Sequence, residues 1–253
     1  MTTPPLDFLT APHAHTSACW WSPAEARWVC TPSPPEPPLV DVRDMLVVHT
    51  ALLREFRLAP AAVSRTPDGD RRQARAVAGH LRFVGDMLHH HHEGEDELLW
   101  PLLVERAPDR ARLLADGEAQ HAALDLALTD VARLRDAWAA APDAGRRDAL
   151  AARLETLSGL LRDHLDLEER DVLPVAAAVL RPEEWAAIGA RGAASMSKPD
   201  LALAFGMFAY EGDPAVLAEM LHEAPAPVRL LMPRLAPRVY ARRARQVHGT
   251  PTP

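Results

Sequence analysis

A chain of 253 residues with 48% hydrophobic and 25% charged residues can bury a real core and is not a disordered polymer. Its formal net charge of −7 argues against nucleic acid as a partner. Its two cysteines, Cys19 and Cys30, make neither a disulfide framework nor a CxxC metal knuckle. Aromatics are few while Ala, Leu and Arg abound, which favours helices over a β-sandwich. The first residues lack the basic start and apolar run of a signal peptide. The longest apolar stretches, such as Val172 to Leu180, are too short to span a bilayer. The cytoplasm is the expected location.

Residues 1–40 are proline-rich and end in Pro32-Ser33-Pro34-Pro35-Glu36-Pro37-Pro38, the pattern of an extended arm. Within it, His13, His15, Cys19 and Cys30 fit no compact zinc spacing, and Trp20, Trp21 and Trp28 point to an arm draped on the rest. Helical periodicity then predicts helices at about 41–60, 70–104, 109–140 and 146–172. Thr66-Pro67-Asp68-Gly69-Asp70 and Ala141-Pro142-Asp143-Ala144-Gly145 are the turns inside two pairs, and Pro108-Asp109 supplies a break and N-cap between them. Beyond Pro174 a short helix starts at Arg181-Pro182-Glu183-Glu184-Trp185. Weakly amphipathic segments follow near 199–210 and 213–223, then an Arg-rich stretch from Val228 to Val247. Its Arg229, Arg234, Arg238, Arg242, Arg243 and Arg245 have no acid beyond Glu223. A solvated face paired with the acidic bundle is the plain reading; a basic amphipathic helix also binds membranes or nucleic acid.

An internal repeat organises the middle of the chain. His91-x3-Glu95-x5-Pro101 recurs as His164-x3-Glu168-x5-Pro174, and a single histidine precedes each copy, His49 and His121. Residues equidistant from a turn lie level across an antiparallel hairpin. The midpoint of 49 and 91 falls beside Pro67-Asp68-Gly69, and that of 121 and 164 falls within Pro142-Asp143. Four histidines and two carboxylates should therefore meet in one layer. His and Glu four apart share a helix face, and here that face is otherwise apolar: Val84, Leu88, Leu98 and Leu102 in one copy, Leu157, Leu161 and Val172 in the other. Burying such groups unpaired is costly, and a cation removes the cost because carboxylate and neutral imidazole are its ligands.

In the run His89-His90-His91-His92 successive residues rotate by about 100°, so at most two can face inward. His91 is the expected ligand, and His89, His90 and His92 are expected at the surface or behind it. His80 is expected to be a hydrogen-bonded histidine too far along the helix to be a ligand. Glu93, Asp96, Glu97, Glu169 and Asp171 read as solvated helix faces.

These residues resemble the hemerythrin-like, HHE cation-binding domains: His49, then His91-His92-Glu93-Gly94-Glu95-Asp96-Glu97, then His121, then His164-Leu165-Asp166-Leu167-Glu168-Glu169. The resemblance implies an all-α, up-down-up-down four-helix bundle over 41–180, between the arm at 1–40 and a helical extension at 181–253. That extension is similar to the tail of hemerythrin-like proteins from GC-rich bacteria. The metals it implies are two irons joined by an oxo or hydroxo bridge and by Glu95 and Glu168, with His49, His91, His121 and His164 as terminal ligands; manganese or zinc would suit the same donors. The ligand it implies is a small oxidant: dioxygen, hydrogen peroxide or nitric oxide. Catalase-like peroxide disproportionation and iron or oxygen sensing through the extension are the two functional expectations. Oxygen-carrying hemerythrins place another histidine where this chain has Gly117, and a five-residue step to the last acid would select Glu169 over Glu168. Glu118, His92 or water could fill the missing position, and a more open iron suits peroxide or nitric oxide better than reversible oxygen carriage.

Overall fold

The computed structural model describes residues 38–222 and 224–253, with the backbone of 19–22 and 27–30. Met1–Pro38 and Leu39–Pro253 form separate compact units. In the first, β1 (Cys19–Ser22) and β2 (Arg27–Cys30) pair antiparallel, with Cys19 opposite Cys30. The arm read as an extended linker thus contains a short ribbon, built where Trp and Val cluster, residues that favour strands. The side chains of His13, His15, Cys19, Cys30, Trp20, Trp21 and Trp28, and residues 32–37 and Glu223, lie outside the described residues.

The second unit is helical. Helices α1 (Arg43–Ser64), α2 (Arg71–Leu98), α4 (Ala111–Ala140) and α5 (Ala144–Leu167) lie close to the expected spans, and α3 (Trp100–Arg106) follows α2. Helix α1 runs through Pro60 to the turn. Asp70 and Asp143 cap α2 and α5 by accepting from the backbone N–H groups of Gln73 and Arg146. Gly69 takes φ +79, and its N–H donates to the Pro142 carbonyl at 2.8 Å, so the two turns meet at one end.

Two expectations need correction. The span 70–104 is not one helix: it breaks at Leu99, because Pro101 in the first turn of α3 has no N–H to continue the ladder. Asp109 does not cap the third long helix either. Pro108–Arg110 form a 3-10 turn, and α4 starts at Ala111 without a side-chain cap.

Helix α1 packs on α5 and α2, and α4 packs on the same two. The centre is filled by Leu52, Phe56, Leu88, Leu124, Trp138 and Leu154, each at most 1% exposed. Fully burying such side chains contributes about 1.5–3 kcal/mol apiece. After α5 a π turn, Glu168–Val172, leads into α6 (Leu173–Val179), then α7 (Pro182–Ala194), α8 (Lys198–Glu211), α9 (Pro214–Met220) and α10 (Ala226–His248). Leu203, Met207, Tyr240 and Val247 of α8 and α10 join the same apolar core as α1 and α2. Gly206 lets α8 and α10 touch: a Cβ there would collide with the Ala236 carbonyl and come within 2.8 Å of Tyr240. No helix among the described residues is long and apolar enough to cross a membrane.

A buried polar network ties α10 to the bundle. The Glu55 carboxylate accepts from Tyr240 Oη at 2.6 Å, His80 Nε2 at 2.8 Å, Arg54 Nε at 3.1 Å and His248 Nε2 at 3.3 Å. Arg54 also donates to Glu211 and to the Met207 carbonyl and lies 4.8 Å from the Tyr210 ring centre. His80 is thus hydrogen-bonded, as expected. Burial would raise the Glu55 carboxyl, but the donors from His248, His80 and Tyr240 hold it well below the carboxylate range.

Because its folded value is depressed, Glu55 stabilises the fold above its unfolded value, near 4.3, and that contribution is lost as pH falls through the folded value. Replacing Glu55 by Ala should cost about 3–5 kcal/mol, since the buried donors of His80, Tyr240 and His248 then lose their acceptor and Arg54 keeps only Glu211 and the Met207 carbonyl. Urea titrations at neutral pH and below pH 4 measure both effects, and the difference between wild type and variant should shrink in acid. Gly206→Ala should cost about 1–3 kcal/mol and make α10 the first segment cut by protease.

Candidate metal centre

Helices α1, α2, α4 and α5 each deliver imidazole to one level of the bundle. His49 comes from α1, His91 and Glu95 from α2, His121 from α4, His164 from α5, and Glu168 opens the π turn. His49, Glu95, His164 and Glu168 are at most 1% exposed, and His121 is 3% exposed. The donor atoms of His49, His91, Glu95 and Glu168 lie within 4.8 Å of one another. His121 and His164 form a second such group, whose third member is His92.

His92 was expected at the surface or behind it, with Glu118, His92 or water as candidates for the missing position. It is 1% exposed, stacked on His121 at 4.3 Å between ring centres and edge-on to His164 at 5.0 Å, the second of those two placements. The rotation between neighbours accounts for this: His91 and His92 straddle the middle of the buried face, one turned to each group. His89 and His90 lie on the outer side with Glu93, as expected. The signal available in sequence was Gly117. A Cβ at that position would lie 2.7 Å from the Trp100 ring, so no side chain fits there, and Trp100 packs edge-on to His121 at 5.5 Å. Glu118 is exposed.

The ring nitrogens divide by direction. On the outer side His49 Nδ1 donates to Glu169 at 3.1 Å, His121 Nδ1 to Asp96 at 2.8 Å, and His164 Nδ1 to the Gln120 side-chain carbonyl at 3.2 Å. Carboxylate and amide oxygens only accept, so these bonds place the proton outside and leave Nε2 as an inward lone pair; that of His49 accepts from His91 Nε2 at 3.2 Å. Glu169 and Asp96, read as solvated faces, are therefore half-exposed props for the inward rings. The inner separations are 3.4 Å for His91 Nε2 to Glu95, 3.5 Å for His164 Nε2 to Glu168, and 3.6 Å for His49 Nε2 to Glu168 and for His121 Nε2 to Glu95. Two atoms each about 2.1 Å from a shared ion stand about 3.0–3.4 Å apart, so this spacing is close to that of co-ligands.

All four carboxylate oxygens of Glu95 and Glu168, both nitrogens of His92, and Nε2 of His121 and His164 are buried without a hydrogen-bond partner. Native interiors seldom leave such groups unanswered, and here they converge. Burial pulls His91 down to about 3, helped by neighbouring His49, and pulls His164 down to about 4. Burial and His121 hold His92 well below its usual value. Burial and the charge of Glu168 push Glu95 well up, whereas the surrounding imidazoles hold Glu168 down against its own burial. Burial alone would lower His121, but Glu168 and Asp96 raise it, so a cation would have to displace the protons favoured on His121 and Glu95 while finding His91, His92 and His164 already neutral.

The π turn shapes the last acid. Leu173 N–H bonds the Glu168 carbonyl, one residue farther than in an α-helix, and the wider turn keeps Glu168 inward while Glu169 reaches His49. Leu88 and Leu161 are fully buried walls; Leu98 is only partly buried, because the break at Leu99 passes burial to Leu99 and Leu103.

No curated protein and no solved structure matches the chain. The family model of the hemerythrin HHE cation binding domain matches residues 40–176, more than half of the sequence and the stretch that contains every inward histidine and glutamate. The chain belongs to the hemerythrin HHE cation-binding family.

Proposed function

We propose that this protein is a cytoplasmic non-haem di-iron protein that binds or reacts with a small oxidant, dioxygen, hydrogen peroxide or nitric oxide. The observation that carries this reading is the set of inward atoms without partners, backed by outer nitrogens that are tied. His49 and His91 would hold one iron and His92, His121 and His164 the other, with Glu95 and Glu168 spanning both, in a bundle of up-down-up-down order. Two irons, once bound, would supply a two-electron reservoir that one peroxide empties and a second refills, as a catalase-like disproportionation to water and dioxygen requires.

The chain's own groups set the conditions for that chemistry. Leu88 and Leu161 exclude water from the inner layer. Glu169 and Asp96 hold protons on the outer nitrogens and, being half-exposed, exchange them with solvent one ring away from the inner face. The donor set differs between the two positions, with two histidines at one and three at the other, which favours an open coordination site on the first. A second reading, sensing without turnover, is favoured by α7: Arg191 pairs with Glu93 and Glu97 and packs against Gly94, inside the stretch that carries His91, His92 and Glu95.

Untagged protein loaded with ferrous iron under anaerobic conditions should hold about two irons per chain, the His92→Ala variant about one, and a His91→Ala/Glu95→Ala variant almost none. Wild type that keeps no iron after loading refutes the reading. Visible spectra before and after peroxide separate the two functions: repeated turnover supports catalysis, and a stoichiometric change with altered protease sensitivity of α7–α10 supports sensing. Gly117→Ala should cost about 1–3 kcal/mol in thermal melts by displacing Trp100, and in a Trp100→Ala background, itself less stable, the same change should cost nothing further.

A further inference from the structure

Helix α10 carries Arg229, Arg234, Arg238, Arg242, Arg243 and Arg245 and no acidic residue, in a chain whose formal net charge is −7. These arginines were expected to pair with the acidic bundle. Among the described residues none of them meets a carboxylate. Arg229 donates to the His222 carbonyl at 3.1 Å, Arg234 to that of Leu230 at 2.7 Å, and Arg238 to that of Arg234.

The same helix exposes large apolar side chains: Leu230 at 60%, Leu231 at 49%, Leu235 at 50% and Val239 at 39%. The other large apolar residues exposed among those described, Leu39, Val104 and Leu126, sit on separate elements. At about 100° per residue, Leu231, Leu235, Arg234, Arg238 and Arg242 fall within an arc of about 100°. Arginine and leucine are therefore interleaved on one face. Ala236, Tyr240, Ala244 and Val247 anchor the opposite face to the core, so the exposed face is a fixed ridge.

We infer that this ridge docks on an anionic lipid surface, with its arginines on headgroup phosphates and its leucines at the edge of the acyl region. The occupant follows from charge and shape together. A second copy meeting it about a two-fold axis would set arginines against arginines. A nucleic acid would satisfy the arginines and leave the leucines facing phosphates and water. A lipid surface supplies anionic groups and a dry layer a few ångströms apart, and it needs no groove to match a single convex helix.

The test is sedimentation of the full chain with large vesicles of phosphatidylcholine, with and without about one-third phosphatidylglycerol. Partition should be at least about tenfold stronger on the anionic vesicles at about 0.1 M salt and should collapse at about 0.5 M. Leu231→Glu/Leu235→Glu and Arg238→Glu/Arg242→Glu, all at exposed positions, should each lower it about tenfold with an unchanged helical circular dichroism spectrum. Equal partition on both vesicles, no partition on either, full retention in both variants, tighter binding to duplex DNA, or self-association that involves the same residues would each overturn the inference.

Discussion

Glu95 and Glu168 face each other from α2 and the π turn with every carboxylate oxygen buried and unanswered. Such groups cannot be left alone in an apolar interior. The arrangement around them follows from that constraint: rings turned inward from four helices, outer nitrogens tied to Glu169, Asp96 and Gln120, and leucines closing the layer.

The same bundle holds a control for this argument. Glu55, His80 and His248 also bring three potential ligands together in the core. There the inner nitrogens already donate to the carboxylate, at 2.8 and 3.3 Å, and it is the outer Nδ1 atoms that lack partners. Polarity is reversed between the two clusters. One is a closed hydrogen-bond network that fastens α10; the other is open toward its own centre. Proximity of His and Glu side chains alone would not tell them apart, and the direction in which each ring is satisfied does.

Much of this was legible in the sequence because it rests on periodicity and on proline. The repeat of His, Glu and Pro at fixed offsets placed six inward residues, and the turn midpoints set their level. Two things were hidden for physical reasons. His92 follows His91 by one residue, and a helical wheel cannot say which side of a buried face has room. That room depends on Gly117 and Trp100, which come from different helices. The break at Leu99 is local chemistry that a continuous apolar pattern conceals, since Leu98 and Leu102 keep the period while burial moves to Leu99 and Leu103. The partners of Glu55 come from residues up to 193 positions away, and no spacing rule reaches across that distance.

The widened turn at Glu168–Val172 has a consequence for how the bundle ends. One additional residue in a single turn offsets all that follows by about 100° relative to an uninterrupted α-helix. Two adjacent acids thereby acquire different tasks, one inside the layer and one beside His49, and α6 leaves the bundle with its own phase, free to present Leu173 and Ala176 to a second, smaller core with Trp185 and Leu180. A local irregularity of the backbone thus lets a single strip of chain answer to two interiors at once.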